Sequence, residues 1–429
     1  MQTQFSLAAL ANPDMAQSEK ILRSCVHCGF CLATCPTYLL TANELDSPRG
    51  RIYLIKDMLE KNASADVRAT FHIDRCLSCL SCMTTCPSSV DYMHLVDYAR
   101  EFIEKKAPRS IIERLKRNLL AYVLPRPKFF RVALRLAWLL RPFQNFLPID
   151  ISSLLALAPK NLPPVSLVDR PQIIPARGVR RMRVALLSGC AQTVLDTKIN
   201  EATIRVLTRF GAEVVIVEGM GCCGAVAHHL GKVEQSRQLA RNNIKVWSRE
   251  IDINGIDYIA VNASGCGTTI KDYKFLFRDD PEMREAAATV SARAVDICEI
   301  INKLDYNKSQ PTPKLRVAYH SACSLQHGQK IINEPYQLLQ RAGFEVMAVP
   351  EGHICCGSAG TYNLLQPELS QQLLERKLAN INSLDPHIIV AGNFGCMMHI
   401  ATQSHVPVMH LVELLDWASG GPKPEYFNS

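Results

Sequence analysis

Two cysteine runs of matching spacing constrain this chain more than any other feature. Cys25, Cys28, Cys31 and Cys35 precede Pro36, and Cys76, Cys79, Cys82 and Cys86 precede Pro87. The C-x2-C-x2-C-x3-C-P spacing wraps a short loop around a metal–sulfur centre while its last cysteine reaches away to a second one. Thiolates are soft ligands that suit iron–sulfur clusters and zinc alike. A zinc knuckle, however, needs only four ligands and no cysteine–proline pair. The doubled run therefore predicts two [4Fe–4S] clusters and a chain that moves electrons. Because the fourth cysteine of such a run ligates the other cluster, one cluster is assigned to Cys25, Cys28, Cys31 and Cys86, and the other to Cys76, Cys79, Cys82 and Cys35.

The remaining composition narrows the setting. A chain of 429 residues is long enough for two or three domains. Seventeen cysteines without a secretory signal predict metal binding rather than disulfides. The first twenty residues lack a basic n-region and a long apolar core, and no uncharged apolar stretch reaches the roughly 18 residues of a membrane span. The expected location is the cytoplasm, including the cytoplasmic face of the inner membrane. The formal charge of +8 is concentrated: between Arg100 and Arg141 twelve Lys/Arg face only Glu101, Glu104 and Glu113. So local a basic strip implies an acidic partner surface or anionic lipid. Nothing resembles a base-reading module, so nucleic acid is not an expected partner.

Along the chain, residues 1–106 are expected to form the two-cluster unit, with helical periodicity at 51–62 and 96–106. Residues 107–181 form a basic helical segment and a connector. SIIERLKRNLLAYVL and PKFFRVALRLAWLLRPF read as helices broken by Pro125, Pro127 and Pro142, carrying Arg131, Arg135 and Trp138. They are expected to pack on the protein's own domains, on a partner subunit or on a lipid surface. A proline-rich run, 158–178, reads as extended.

From residue 182 the sequence repeats. MRVALLSGC (182–190) matches LRVAYHSAC (315–323), and NEATIRVLTRFGAEVVIVEGMGCCG (200–224) matches NEPYQLLQRAGFEVMAVPEGHICCG (333–357). IDYIAVNASGC matches HIIVAGNFGC, and AVDICEII (294–301) matches VMHLVELL (408–415), which places an insertion at about 274–293 in the first repeat. β-branched runs alternating with amphipathic helices predict two similar α/β lobes, 182–305 and 314–418. The overall expectation is an α+β multidomain protein: a helical ferredoxin-like domain followed by two repeated α/β lobes.

The repeats carry a second cysteine set. Sites in parallel α/β units gather at the carboxyl ends of strands. Strand endings would bring Cys190, Cys222, Cys223 and Cys266 together, and likewise Cys323, Cys355, Cys356 and Cys396. Each quartet is a candidate for a further cluster, and the vicinal pairs Cys222–Cys223 and Cys355–Cys356 are candidates for a redox role. Cys298 aligns with Val412 and reads as core. His27 lies between two ligands, where it tunes hydrogen bonding or sits exposed. His228, His229, His327, His353 and His399 lie near the second set at unmatched positions and read as surface or packing residues.

A two-cluster ferredoxin domain followed by two Cys…Cys-Cys-Gly…Cys domains resembles the CCG-domain electron-transfer proteins. These include subunits of heterodisulfide reductase, anaerobic glycerol-3-phosphate dehydrogenase and lactate-utilisation systems. CVHCGFCLATCPTY, ELDSPRGRIYLIK, CLSCLSCMTTCPSSVDYMHLVDYAR, NASGCG and GNFGC are most similar to the glycolate oxidase iron–sulfur subunits. One departure stands out: the fullest pattern closes each lobe with C-x2-C, and here Ala263 and Asn393 occupy the first position of that pair.

The resemblance implies an oxidoreductase subunit that relays electrons from a flavin on a partner subunit to a quinone or another acceptor, and that does not turn over substrate alone. The resemblance implies that flavin and substrate sit on partner flavoproteins. Glycolate, lactate and glycerol 3-phosphate all remain open as fuels, and disulfide or quinone reduction in the lobes and a cluster-bearing sensor remain as other readings.

Overall fold

The computed structural model describes residues 1–62, 65–142, 159, 161–310 and 313–427. The end of the second basic helix reading, at Phe143, and the start of the proline-rich run lie outside the described residues.

The cysteine runs sit on a helical platform. Asn12 accepts hydrogen bonds from the amides of Asp14 and Met15 and starts helix Pro13–Ser24. Ser47 accepts from Gly50 at 2.9 Å, and with Pro48 in the first turn it starts helix Pro48–Lys61. These helices pack with Val67–Asp74 and Tyr92–Lys106 around Leu22, Ile55, Leu59, Ile73, Leu95 and Ile103, all fully buried. Gly50 is obligatory: a Cβ there would collide with the Glu44 carbonyl. The ELDSPRG segment thus folds back on itself beneath both cysteine loops.

The repeated part forms two sheets. The first contains β1 (Gln172–Ile174), β2 (Met182–Leu186), β3 (Ala212–Ile216), β4 (Tyr258–Val261) and β5 (Ala294–Asp296) in the order β1-β3-β2-β4-β5. The second contains β6 (Arg316–His320), β7 (Glu345–Ala348), β8 (Ile388–Ala391) and β9 (Val408–His410) in the order β7-β6-β8-β9. All pairings are parallel except β1 with β3. Removing β1 leaves the same topology twice, so the sequence repeat is a structural one. Val184–Leu186 and Ile388–Ala391 are apolar and buried throughout, as parallel strands covered on both faces require.

Both lobes end on the same device: Asp296 with Glu299, and His410 with Glu413, form capping boxes where β5 and β9 turn into helices. The insertion in the first repeat adds helices Tyr273–Leu276 and Arg284–Arg293. The proline-rich run is more than a connector. Its residues 172–174 pair with β3 as an antiparallel edge strand, the position that flanking prolines permit.

The lobes meet across a pseudo-two-fold contact. Helix Lys198–Arg209 of lobe 1 packs on Leu411–Ala418 of lobe 2, and Ile297–Lys303 of lobe 1 packs on Glu334–Arg341, the mates under the repeat. Both sheets share one core that includes Val184, Leu207, Val317 and Leu415. Arg205 and Arg209 clasp the buried Asp416 at 2.6 and 2.9 Å.

The basic segment folds as two helices, Ile111–Val123 and Pro127–Leu140, that pack on each other. Packing on the protein's own domains accounts for only one face, through Arg117, Ala121 and Phe130. Arg109 and Arg117 bind Asp74, and Arg131 donates to the Pro163 and Thr193 carbonyls, so these cations serve internal contacts. The opposite face exposes Leu115, Leu119, Val132 and Leu136 beside the exposed Lys128 and Arg135, and Arg114 and Trp138 are exposed on the flanks. Among the described residues, no helix is long and apolar enough to cross a membrane.

Candidate metal centres

The two cysteine runs share one backbone path. His27 and Gly29 in the first run, and Ser78 and Leu80 in the second, adopt left-handed conformations at matching places, with φ of 57°, 87°, 50° and 62°. A non-glycine residue there costs on the order of 1–2 kcal/mol. Three such residues are held in these loops, which curl each run around a cavity. Cys35 then caps helix Pro36–Thr41, and Pro36 occupies its first turn, which fixes where the fourth cysteine of the first run points.

Two cavities result. The outer one is lined by Cys25, Cys28, Cys31 and Cys86. The inner one is lined by Cys35, Cys76, Cys79 and Cys82, with Cys82 standing in the wall between the two. Each cavity therefore draws three cysteines from one run and the last cysteine of the other. The outer cavity reaches the surface at Cys28, flanked by Val26 and Phe30, which are 67% and 64% exposed. The inner cavity is enclosed: Cys35, Cys76, Cys79 and Cys82 are all buried.

The donor chemistry fits iron–sulfur clusters. Burial pushes the Cys79 and Cys82 thiols well up, and neighbouring cysteines push them further. Burial likewise carries Cys31 up to about 11. Four converging thiols, most of them buried, are a poor place for free thiolates and a good place for thiolates neutralised by iron. A buried cation assists. Arg51 bonds the His72 carbonyl at 2.7 Å and Thr37 Oγ1 at 3.0 Å, and its Nη1 reaches Cys35 Sγ at 3.8 Å. Asp46, fully buried, anchors this corner through Arg51, Arg75 and His72. Tyr92 donates toward Cys76 Sγ at 3.7 Å. On the outer side Arg49 links Glu44, at 2.7 Å, to the His27 carbonyl. His27 takes part through this backbone carbonyl. Arg49, Arg51, Asp46, His72 and Tyr92 were not singled out from sequence, although the S-P-R-G-R helix start placed two of them.

In the lobes the strands deliver their cysteines as expected, at carboxyl ends. Cys190, Cys222, Cys223 and Cys266 form a continuous chain of side-chain contacts in lobe 1. Cys323, Cys355, Cys356 and Cys396 form the same chain in lobe 2, with Cys323 Sγ 3.8 Å from Cys355 Sγ. Contact with Cys222 and burial raise the Cys190 thiol; contact with Cys355 and burial raise Cys323. Gly224 and Gly357 follow the vicinal pairs at φ of 90° and 96°, each pressed on a serine (Ser236, Ser370) that bonds the glycine carbonyl. Cys298 is fully buried in the shared apolar core with Val412.

The inner cavity borders lobe 2. Cys79 and Leu77 pack in one cluster with Ile354 and Cys355, and Cys323 lies against it. His327, read as packing, joins the parts: its Nδ1 meets Thr84 Oγ1 at 2.8 Å and its Nε2 meets the His353 carbonyl at 3.1 Å. His228 and His229 lie near Asp97 instead, and His399 bonds Ser370 Oγ at 3.1 Å. Sequence reasoning missed His320 and Lys377. Both are 1% exposed and close to the lobe 2 cysteines. Burial, reinforced by Lys377, lowers the His320 imidazole to about 3 and keeps it neutral. Both His320 ring nitrogens are buried without a partner, at a cost of about 1–3 kcal/mol each.

Comparisons with known proteins agree with this architecture. The 4Fe-4S dicluster domain family matches residues 24–90, and the cysteine-rich domain family matches 184–271 and 317–401. The glycolate oxidase iron–sulfur subunit of Escherichia coli K12 is 41% identical, over 97% of this chain and 99% of its own length. The probable glycolate oxidase iron–sulfur subunit of Bacillus subtilis 168 is 31% identical, over 93% of this chain and 94% of its own. Lactate utilization protein A of Bacillus licheniformis is 27% identical over 55% of this chain and 99% of its own. A crystal structure of a hypothetical protein from Helicobacter pylori shares the fold, with a TM-score of 0.52 at 11% identity over 96% of this chain and 73% of that one. The thiol-lined cavities, the doubled lobe and the full-length likeness together place this chain in the family of glycolate oxidase iron–sulfur subunits.

Proposed function

We propose that this chain is the electron-transfer subunit of a flavin-dependent complex that oxidises glycolate to glyoxylate, and that it does not turn over glycolate alone. The observation that carries the reading is the pair of adjoining cavities, each drawing three cysteines from one run and the last cysteine of the other, in a chain with near full-length likeness to glycolate oxidase iron–sulfur subunits. Cys25, Cys28, Cys31 and Cys86 would hold one [4Fe–4S] cluster, and Cys76, Cys79, Cys82 and Cys35 the other. Such clusters supply one-electron carriers that divide the electron pair leaving a partner's flavin.

The chain's own residues give the path a direction. Val26 and Phe30 form an exposed apolar rim at Cys28, suited to docking a flavoprotein. The inner cavity is lined by buried cysteines and abuts the lobe 2 cysteines through Cys79 and Cys355. The quartets Cys190, Cys222, Cys223, Cys266 and Cys323, Cys355, Cys356, Cys396 would bind further metal at the far end. The exposed apolar and basic face of helices Ile111–Val123 and Pro127–Leu140 would rest on an anionic membrane surface at the cytoplasmic side, where a quinone acceptor is at hand.

Cys79→Ala tests the relay. In the assembled complex, glycolate should still reduce the flavin while acceptor reduction is lost. Normal acceptor turnover in that variant would end the proposal. Reduction by lactate or glycerol 3-phosphate in place of glycolate would move the substrate and keep the relay.

A further inference from the structure

The two lobes share a topology but differ in donors. β6 ends in His320, and the repeat places Leu187 at that position in lobe 1. Leu187 is 1% exposed and completes an apolar core, so packing alone asks only for a hydrophobe there. His320 is as deeply buried, yet neither ring nitrogen has a partner. Its donor atoms and the Sγ atoms of Cys356 and Cys396 all lie within 4.8 Å of one another. Among the described residues no other three His, Cys, Asp or Glu side chains converge so closely. The matching trio in lobe 1 is Leu187, Cys223 and Cys266, which lacks the third donor.

A second exchange points the same way. Helix Pro367–Asn382 buries Lys377 beside Cys355 and Cys356, its Nζ bonding the Glu351 carbonyl at 3.0 Å. Lobe 1 has Asn243 there, which ties up the Gly221 amide and the Cys222 carbonyl. Lobe 2 therefore gains an imidazole and an amine next to its thiols. Two thiolates balance the charge of a divalent ion.

We propose that His320, Cys356 and Cys396 together hold a divalent cation of borderline softness, zinc(II) or iron(II), at a centre in lobe 2 that lobe 1 does not duplicate. Imidazole and thiolate are the donors such ions take together. The proposal deepens the reading of the lobe 2 cysteines as metal ligands and rests on it.

The test uses full-length protein purified anaerobically with its partner flavoproteins, with iron, zinc and sulfide measured per chain. His320→Leu installs the lobe 1 residue and should lose one equivalent of zinc or iron. The dicluster spectra should stay unchanged, which also reports that the variant is folded. His320→Cys should retain that equivalent, with nitrogen replaced by sulfur in X-ray absorption at the metal edge. Loss of zinc and loss of iron both support the site and tell the two ions apart. Zinc and iron contents that His320→Leu leaves undiminished would overturn this site and leave the broader reading of the lobe cysteines standing. Wild-type protein with no metal beyond the dicluster would overturn both.

Discussion

Arg51 Nη1 lies 3.8 Å from Cys35 Sγ, placing a fully buried guanidinium against the inner metal cavity. Burial alone would lower its pKa; Cys76, Tyr92, Cys35 and Asp46 more than offset that and raise it. A fixed positive charge favours an added electron nearby. Arg51→Met should therefore shift the midpoint potential of one cluster to more negative values and leave the other in place, each 59 mV being about a tenfold change in equilibrium. It should also lower stability, because Asp46 and Thr37 each lose a buried partner while Arg75 and His72 still hold Asp46. Potentiometric titration followed by electron paramagnetic resonance checks the first effect; two unshifted potentials would contradict it.

His94 pins the N-terminal domain to lobe 1. It stacks on Phe275 at 3.4 Å between centroids and bonds Asp91 at 2.5 Å and Asp272 at 3.0 Å. Burial opposes its charge, but Asp272 and Asp91 carry its pKa from 6.5 up to about 9. A raised folded-state pKa gives stability that is fully present below the unfolded value and is lost as pH rises through the folded one. The wild type should thus lose its advantage in melting temperature over His94→Gln between about pH 6.5 and 9. A gap that stays constant across that window would refute the assignment.

The exposed face of the basic helices gives a third prediction. Leu136 and Trp138 are each 54% exposed. Burying such a side chain in an apolar phase is worth about 1.5–3 kcal/mol. Leu136→Glu and Trp138→Glu should each weaken cosedimentation with phosphatidylglycerol vesicles by about tenfold or more, and added salt should weaken the wild type as well. Vesicle binding equal to wild type in both variants would assign this face to a protein partner instead.

Cys298→Val should leave the iron content unchanged, since the residue is fully buried in apolar core and its repeat mate is Val412. Metal analysis with a melting curve checks it. Lost iron would make Cys298 a ligand.

The residues that were legible in the sequence are those whose spacing carries the chemistry. The crossed sets of cysteines followed from one repeated run, and Cys190, Cys222, Cys223 and Cys266 found their lobe 2 mates by a constant pattern. What escaped notice acts through tertiary contact. Arg51 sits in the first turn of an ordinary helix and meets Cys35 only after the loop folds back on Gly50. β1 is three residues between prolines, too short to show alternation. His320 was hidden inside the alignment itself. It is the position where an apolar residue in one repeat becomes a donor in the other, a signal that comparing the repeats residue by residue would have found.

The most direct test of the central claim is to purify this chain anaerobically with its flavoprotein partners, add glycolate and follow the iron–sulfur absorbance in the visible range. The account predicts that glycolate bleaches the clusters, with dithionite marking full reduction. Clusters that dithionite reduces but glycolate leaves fully oxidised would contradict it.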